Sequence, residues 1–304
     1  MYEAKVKVGE MVKKTKKSYW RVTKKTLKHL GILGFSKTEN IFGINPIIIS
    51  TIYIILTLFL ASILRKIVKI VYKNNEKFSK QLILEFIATI ELCACCYELI
   101  IIADNWGIWA YALYLFLLTI WWGSNWEEAS ACPYNPVEEV VEGSRDVKSA
   151  LWIIGSQLLG ALVTFRYVQV LWSLELVETH VDKAYEDCTT DLQVETSMGV
   201  IIEGAATCLC RVVSRILGET NAKLGNYFDA FFCTMMVVAA FNFSGGYFNP
   251  ALATSLKLGC DGNTFVEHVL VYWFGATAGA VLSIFLFKAT YIQDIISSLK
   301  PKIE

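Results

Sequence analysis

The sequence predicts an all-α membrane protein. Its expected fold is an inverted repeat of three plus three transmembrane helices with two re-entrant half-helices, preceded by an extra N-terminal transmembrane helix. The first observation is composition, because the 304 residues are 55% hydrophobic and 18% charged, whereas soluble domains are about 25% charged. The others are a series of apolar runs long enough to cross a bilayer, and two short apolar segments that each begin with an Asn-Pro pair.

Seven apolar runs are candidate transmembrane helices. Each is about 17–25 residues long, which is enough to cross a hydrocarbon core of about 30 Å. Basic residues flank the first run on both sides, so it is either a seventh span or a helix along the membrane interface, and its length favours the span. The runs cover residues 46–64, 82–103, 107–123, 149–173, 196–217, 227–243 and 265–288.

Two Asn-Pro pairs open segments that are too short to cross the bilayer, at Asn135-Pro136-Val137 and Asn249-Pro250-Ala251. Asn accepts hydrogen bonds from free backbone N–H groups at a helix start, and Pro lacks the N–H that would go unpaired there. Helix ends at membrane depth are tolerated only where they face protein or a water-filled cavity. Each Asn alone would be an ordinary cap of a buried helix, but two at symmetric places predict half-helices around an aqueous passage.

The chain contains an internal repeat. Glu85 and Glu203 precede the two Asn-Pro pairs by 50 and 46 residues, and similar segments, Gln157–Ala161 and Tyr272–Ala276, follow the pairs. Three spans per half place the halves in opposite orientations, and basic residues gather in the loops of one side, which is typical of the cytoplasmic side. Inverted repeats place the working site near the membrane midplane, between broken helices.

The sequence does not favour an enzyme, a metal site or a nucleic-acid-binding protein. The three His residues are far apart, so a metal site is not expected. Cys93, Cys95 and Cys96 have no nearby His to activate a thiol. The basic N-terminal residues are typical of membrane topology signals and of contact with anionic lipid. We therefore expect no catalytic residue, no cofactor, no metal and no nucleic-acid partner.

These motifs resemble the aquaporin (major intrinsic protein) family. That family carries two Asn-Pro-Ala loops, a Glu in the first span of each half, and Gln-x-x-Gly-Ala and Tyr-Trp-x-Gly patterns after the loops. The resemblance covers residues 82–288. Within the family the chain is similar to the unorthodox superaquaporin branch, whose members have a degenerate first loop and a Cys nine residues after the second motif, here Cys260.

The resemblance implies a passive channel for water and for small neutral solutes such as glycerol or hydrogen peroxide, and not an enzyme. It also implies a multi-pass protein that forms a homotetramer in an intracellular membrane, the endoplasmic reticulum rather than the plasma membrane. The expected divisions are a basic N-terminal segment (1–43), an extra apolar helix (44–71), an aquaporin-like channel domain (72–288) and a C-terminal tail (289–304).

Site residues follow from the same resemblance. The pore motifs are the two Asn-Pro segments. Orthodox water channels place Arg directly after the second motif, where this chain has Leu252, and an ungapped extension backwards places Gly246 and Val237 at two further constriction positions. The selectivity filter is therefore expected to be apolar and to lack a fixed cation.

Three further residues have competing interpretations. Glu85 and Glu203 would accept hydrogen bonds from loop backbone N–H groups and support the half-helices, or they would form a proton relay. Cys260 is either a packed thiol or a residue that stabilises assembly or senses oxidant. The acidic run after Pro136 (138–142) either faces the cytoplasmic mouth or closes the pore, and the latter would make the protein a non-conducting aquaporin-like scaffold.

Overall fold

The computed structural model describes residues 43–72, 77–220 and 224–299. Nearly all of the predicted basic segment 1–43, and residues 300–304 of the predicted C-terminal tail, lie outside the described residues. The described part folds almost entirely into helices, named here α1 (Pro46–Val71), α2 (Lys77–Trp106), α3 (Ile108–Asn125), α4 (Tyr134–Val141), α5 (Val147–Trp172), α6 (Thr196–Thr220), α7 (Gly225–Ser244), α8 (Pro250–Lys257), α9 (Phe265–Phe287) and α10 (Thr290–Leu299).

The chain divides into two compact units. One contains described residues 43–49 and 168–186, and the other contains 50–167 and 187–299. In the smaller unit two short 3₁₀ turns follow the end of α5, and the Gln169 amide donates a hydrogen bond to the Ala184 carbonyl at 2.8 Å. All site residues treated below belong to the larger unit.

Five helices are long and apolar enough to cross a membrane: α1, α2, α5, α7 and α9. The predicted spans at 107–123 and 196–217 correspond to α3, with 18 residues, and α6, with 25 residues. These two helices are not among the five. Aromatic residues lower the mean hydropathy of α3, and α6 carries charged side chains. Two of these, Arg211 and Arg215, form ion pairs. The half-helices α4 and α8 have eight residues each, about 12 Å at 1.5 Å per residue, so neither crosses the bilayer.

The repeat is visible in how the helices approach each other. A Cβ on Gly160 of α5 would lie 2.9 Å from the Phe86 carbonyl oxygen of α2, and a Cβ on Gly275 of α9 would lie 3.0 Å from the Val200 carbonyl oxygen of α6. Small residues of this kind allow close contact between helix backbones within a membrane. The two equivalent glycines therefore hold each half of the repeat together in the same way.

The extra helix α1 packs along the larger unit. Thr51 shares a hydrogen bond of 2.7 Å with Tyr114 of α3, and Thr57 shares one of 2.9 Å with Tyr167 of α5. Further along α1, Arg65 forms an ion pair with Glu91 of α2. These contacts extend over four turns of α1 and favour a span that runs beside the bundle over a helix lying along the interface.

Candidate functional site

The second half-helix, α8, begins with an Asn cap. Asn249 has an extended backbone, and its side-chain oxygen accepts hydrogen bonds from the N–H groups of Ala251 at 3.0 Å and Leu252 at 3.3 Å. Pro250 occupies the first helical position, where its missing N–H costs nothing. The expected Asn-Pro helix start is therefore present in this loop.

Glu203 lies in α6 behind the same loop and is fully buried. Its carboxylate accepts hydrogen bonds from the backbone N–H groups of Tyr247 at 3.2 Å and Phe248 at 2.7 Å, and from the Ser244 hydroxyl at 2.6 Å. A carboxylate that satisfies several backbone donors fixes the position of the loop that carries them.

Glu85 of α2 plays the equivalent part in the first half. Its carboxylate accepts hydrogen bonds from the backbone N–H groups of Ser130 at 3.0 Å and Ala131 at 2.9 Å. The Gln157 amide of α5 donates a further bond at 2.9 Å. Glu85 and Glu203 therefore each accept hydrogen bonds from backbone N–H groups of the loop that leads into a half-helix.

These contacts align the two loops residue by residue. Ala131 and Phe248 each donate a backbone N–H to the buried Glu, and both have a positive φ, 50° and 47°. Non-glycine residues rarely adopt this conformation. Because Ala131 matches Phe248, the residue matching Asn249 is Cys132, and the following Pro133 matches Pro250.

The expectation that Asn135 caps the first half-helix is therefore wrong. The helix begins at Tyr134 after Pro133, which has a φ of −60°, and Asn135 already lies in the first turn, where its backbone N–H donates to the Cys132 carbonyl at 3.1 Å. The buried side-chain oxygen of Asn135 has no hydrogen-bond partner within the described ranges. Pro136 and Val137 also lie inside the helix.

The spacing between the buried Glu and the Pro in each half of the sequence supports this alignment of the two loops. Pro133 follows Glu85 by 48 residues and Pro250 follows Glu203 by 47, whereas Pro136 follows Glu85 by 51. The loops themselves make contact, because the Asn249 side-chain amide donates to the Ala131 carbonyl at 2.9 Å. An Asn amide carries two N–H donors, so one remains for another acceptor.

The acidic residues of α4 are paired with arginines. The Arg211 guanidinium of α6 binds both carboxylate oxygens of Glu138, at 2.9 and 2.5 Å, and Arg215 approaches Glu138 to 3.1 Å. Arg215 also binds Glu142 at 2.6 Å, and Arg145 forms an ion pair with Glu139. The Glu138 side chain is 3% exposed. Of the two alternatives for the acidic run, Glu138 therefore does not fit the one in which it faces an open cytoplasmic mouth.

A cavity of about 310 Å³ lies beside the start of α8. Gly246 and Leu252, two of the predicted filter residues, line it. Val237 is not part of its lining and instead packs in an apolar cluster with Ala206 and Phe248. The lining consists of Cys96, Ile100, Asp104, Tyr111, Asp191, Gln193, Phe241, Asn242, Gly245, Gly246, Tyr247, Leu252 and Leu256.

The lining of this cavity is not wholly apolar. The loop between α5 and α6 contributes Asp191 to the cavity, and α2 contributes Asp104. The amine of Lys257 binds Asp191 at 2.7 Å, so a cation is held directly behind the wall. Sequence comparison with the Arg position of orthodox channels missed this arrangement, because Asp191 comes from a loop and Lys257 from the far end of α8.

Cys260 forms a disulfide bond with Cys188, 72 residues earlier in the chain. Of the two alternatives for Cys260, the packed thiol is wrong, because its sulfur is bonded to that of Cys188 in the loop before α6. An isolated parallel β-bridge between Thr189 and Asp261 lies beside the disulfide. The bond therefore joins two loops that carry residues of the cavity region.

Removal of the disulfide is expected to destabilise the protein. Replacement of Cys188 and Cys260 by Ser should lower the free energy of unfolding by about 2–4 kcal/mol, since the bond closes a long loop and restricts the unfolded chain. Thermal unfolding in detergent, with and without reductant, measures the effect. The matched control is Cys208→Ser, because Cys208 is buried but not bridged. An unchanged stability in the double variant, with reductant also without effect on the parent, would contradict the bond.

Comparison with known proteins places the chain among channels. No family model matches it. The chain is 28% identical to aquaporin-11 of Milnesium tardigradum over 244 residues, which cover 80% of this chain and 88% of that protein. It is 28% identical to aquaporin-11 of Homo sapiens over 67% of this chain and 76% of that protein, and 29% identical to aquaporin-12 of Mus musculus over 64% and 70%.

The chain is similar to aquaporins over most of its length. Its relatives aquaporin-11 and aquaporin-12 are superaquaporins, so the predicted branch is confirmed. The aquaporin fold is also found in a solved structure, the aquaglyceroporin from Plasmodium falciparum, with a TM-score of 0.55 and 14% identity over 73% of this chain and all of that one. The protein is an integral membrane protein and a channel of the aquaporin kind, not an enzyme.

Proposed function

We propose that this protein conducts water, and small neutral solutes such as glycerol or hydrogen peroxide, through a passage between α4 and α8. The observation that carries the proposal is the pair of loops at which the half-helices begin. Each loop is held by a buried Glu, and the Asn249 amide bonds the second loop to Ala131 of the first. A cavity of about 310 Å³ adjoins the start of α8.

In this proposal the helix starts act on the passing molecule. The remaining N–H of Asn249 donates a hydrogen bond to the oxygen of a water or solute. The positive ends of the α4 and α8 dipoles repel cations. The first loop contributes differently, because Cys132 stands where the second loop has Asn, and a thiol is only a weak donor. The proposed donor set is therefore asymmetric between the two halves.

The test is water flux through proteoliposomes measured by stopped-flow light scattering. Asn249→Ala should lower the flux per protein about tenfold, because it removes both the helix cap and the contact with Ala131, a loss of roughly 1–2 kcal/mol from the cap alone. Asn135→Ala is the matched control and should change the flux less than about twofold, since its amide oxygen has no partner to lose. Equal losses in both variants would contradict the proposed roles.

A non-conducting scaffold with a closed pore is the second candidate, and one observation favours it. Tyr134 stands at the position that Ala251 takes in the second loop, and the Arg211 guanidinium lies 5.8 Å from its ring centroid. A bulky ring thus occupies the first loop where the second loop has a methyl group. If the parent protein conducts no more than empty liposomes and Tyr134→Ala restores flux, the scaffold with a closed pore is correct.

We further propose a homotetramer in an intracellular membrane, as the resemblance to superaquaporins implies. The similarity to aquaporin-11 and aquaporin-12 supports this placement. Chemical cross-linking in native membranes should give a four-subunit species. Fractionation should place the protein with endoplasmic-reticulum markers, and recovery with plasma-membrane markers would contradict the compartment.

A further inference from the structure

The segment 188–193 between α5 and α6 is fixed to its surroundings at both ends. The disulfide joins Cys188 to Cys260, and the Thr190 N–H donates to the Asp261 carbonyl at 2.9 Å while the Asp261 N–H donates to Cys188 at 3.0 Å. At the other end the Gln193 N–H donates to the Phe243 carbonyl at 2.8 Å. A segment tied in this way holds its side chains in defined positions.

Asp191 lies in the middle of this segment and lines the cavity at the second loop. A Cβ on Gly245 would lie 3.0 Å from the Asp191 Cβ, so the segment passes directly against the turn that leads to Asn249. The Asp191 side chain is 35% exposed, and the cavity that it lines is also lined by Gly246 and Leu252, two residues expected to form the filter.

Both carboxylate oxygens of Asp191 are held from the protein side. The Lys257 amine, whose side chain is 11% exposed, binds Oδ1 at 2.7 Å and also donates to the Thr189 carbonyl at 3.0 Å. The Tyr247 hydroxyl donates to Oδ2. A carboxylate has about four acceptor sites, so each oxygen keeps capacity to accept a bond from a molecule in the cavity.

We propose that Asp191 determines solute specificity in this channel as a fixed, charged hydrogen-bond acceptor that favours small polyols over water. The inference deepens the proposed channel function and rests on it. Hydrogen bonds to an ionised acceptor are about twice as strong as neutral ones. A solute with hydroxyl groups on adjacent carbons donates to both oxygens at once, and the Leu252 and Phe241 side chains in the same cavity contact its carbon chain.

The test compares glycerol and water permeability of the same proteoliposomes. Asp191→Asn keeps the shape and removes the charge, so glycerol permeability should fall about tenfold while water permeability changes less than about twofold. Asp187→Asn is the matched control, because Asp187 is exposed on the same stretch of chain and does not line the cavity. It should leave both permeabilities unchanged.

A second variant separates specificity from folding. Asp191→Asn alone leaves the Lys257 amine without its carboxylate, so Asp191→Asn combined with Lys257→Gln removes both charges and should show the same selective loss of glycerol. An equal loss of both permeabilities, or no loss of glycerol permeability, in the folded double variant overturns the role of Asp191. A parent protein that passes neither water nor glycerol contradicts the channel function itself, which is a different result.

Discussion

Replacement of Glu91 by Ala is expected to lower the free energy of unfolding by about 3–5 kcal/mol, because it leaves a buried guanidinium without its carboxylate. Glu91 is 0% exposed and its partner Arg65 is 4% exposed. Glu91 also accepts hydrogen bonds from the indole N–H groups of Trp121 and Trp126, each at 3.2 Å. The substitution therefore removes the carboxylate to which all three side chains, Arg65, Trp121 and Trp126, donate. It also weakens the attachment of α1 to the bundle.

The chain offers a control in an exposed ion pair one turn further along α1. Lys69 of α1 forms an ion pair with Glu127, but the two side chains are 40% and 50% exposed, so Glu127→Ala should cost only about 0–1 kcal/mol. Arg65→Met combined with Glu91→Met should recover much of the stability, since replacement of a buried ion pair by apolar side chains often leaves the free energy of unfolding unchanged. Unfolding in detergent measures all three variants. A loss for Glu91→Ala as small as that for Glu127→Ala would contradict the buried pair.

Much of the fold follows from the sequence because burial in lipid constrains it strongly. Every backbone group in the bilayer must be satisfied internally, so long apolar runs become helices. The same constraint makes an ionisable residue within such a run conspicuous. Glu85 and Glu203 stand out for this reason, and the structure places a loop backbone against each. The half-helices were predictable because eight-residue segments between loops cannot cross.

The details that sequence reasoning missed depend on contacts between distant residues. Asn135-Pro136 matches the expected motif in its letters, but the helix starts at Tyr134, two residues before Pro136, since Pro133 fixes the backbone there. The partner of Cys260 lies 72 residues away in a loop, and no local pattern identifies it. Asp191 also reaches the cavity from a loop, so a comparison confined to the half-helices cannot find it.

Replacement of Glu203 by Ala is expected to abolish water flux and to destabilise the protein by several kcal/mol. The change leaves three donors without an acceptor: the buried Ser244 hydroxyl and Phe248 N–H, and the part-buried Tyr247 N–H. Each unsatisfied buried donor costs about 1–3 kcal/mol. A change in loop conformation that gives these donors other acceptors would then lower the free energy. As a result, α8 and its Asn249 cap should lose their position beside the first loop.

Graded variants distinguish a supporting role from a proton relay. Glu203→Gln keeps one acceptor oxygen and cannot carry a proton as a carboxylate does, so it should retain part of the flux if Glu203 supports the half-helix. Glu85→Gln should behave similarly, since Glu85 binds Ser130 and Ala131 in the same manner. Glu195→Ala, at an exposed position before α6, is the control and should have no effect. Water passage needs the half-helix in position, whereas proton transfer needs only the titrating carboxylate. Full water flux in Glu203→Ala would therefore show that α8 keeps its position without the carboxylate.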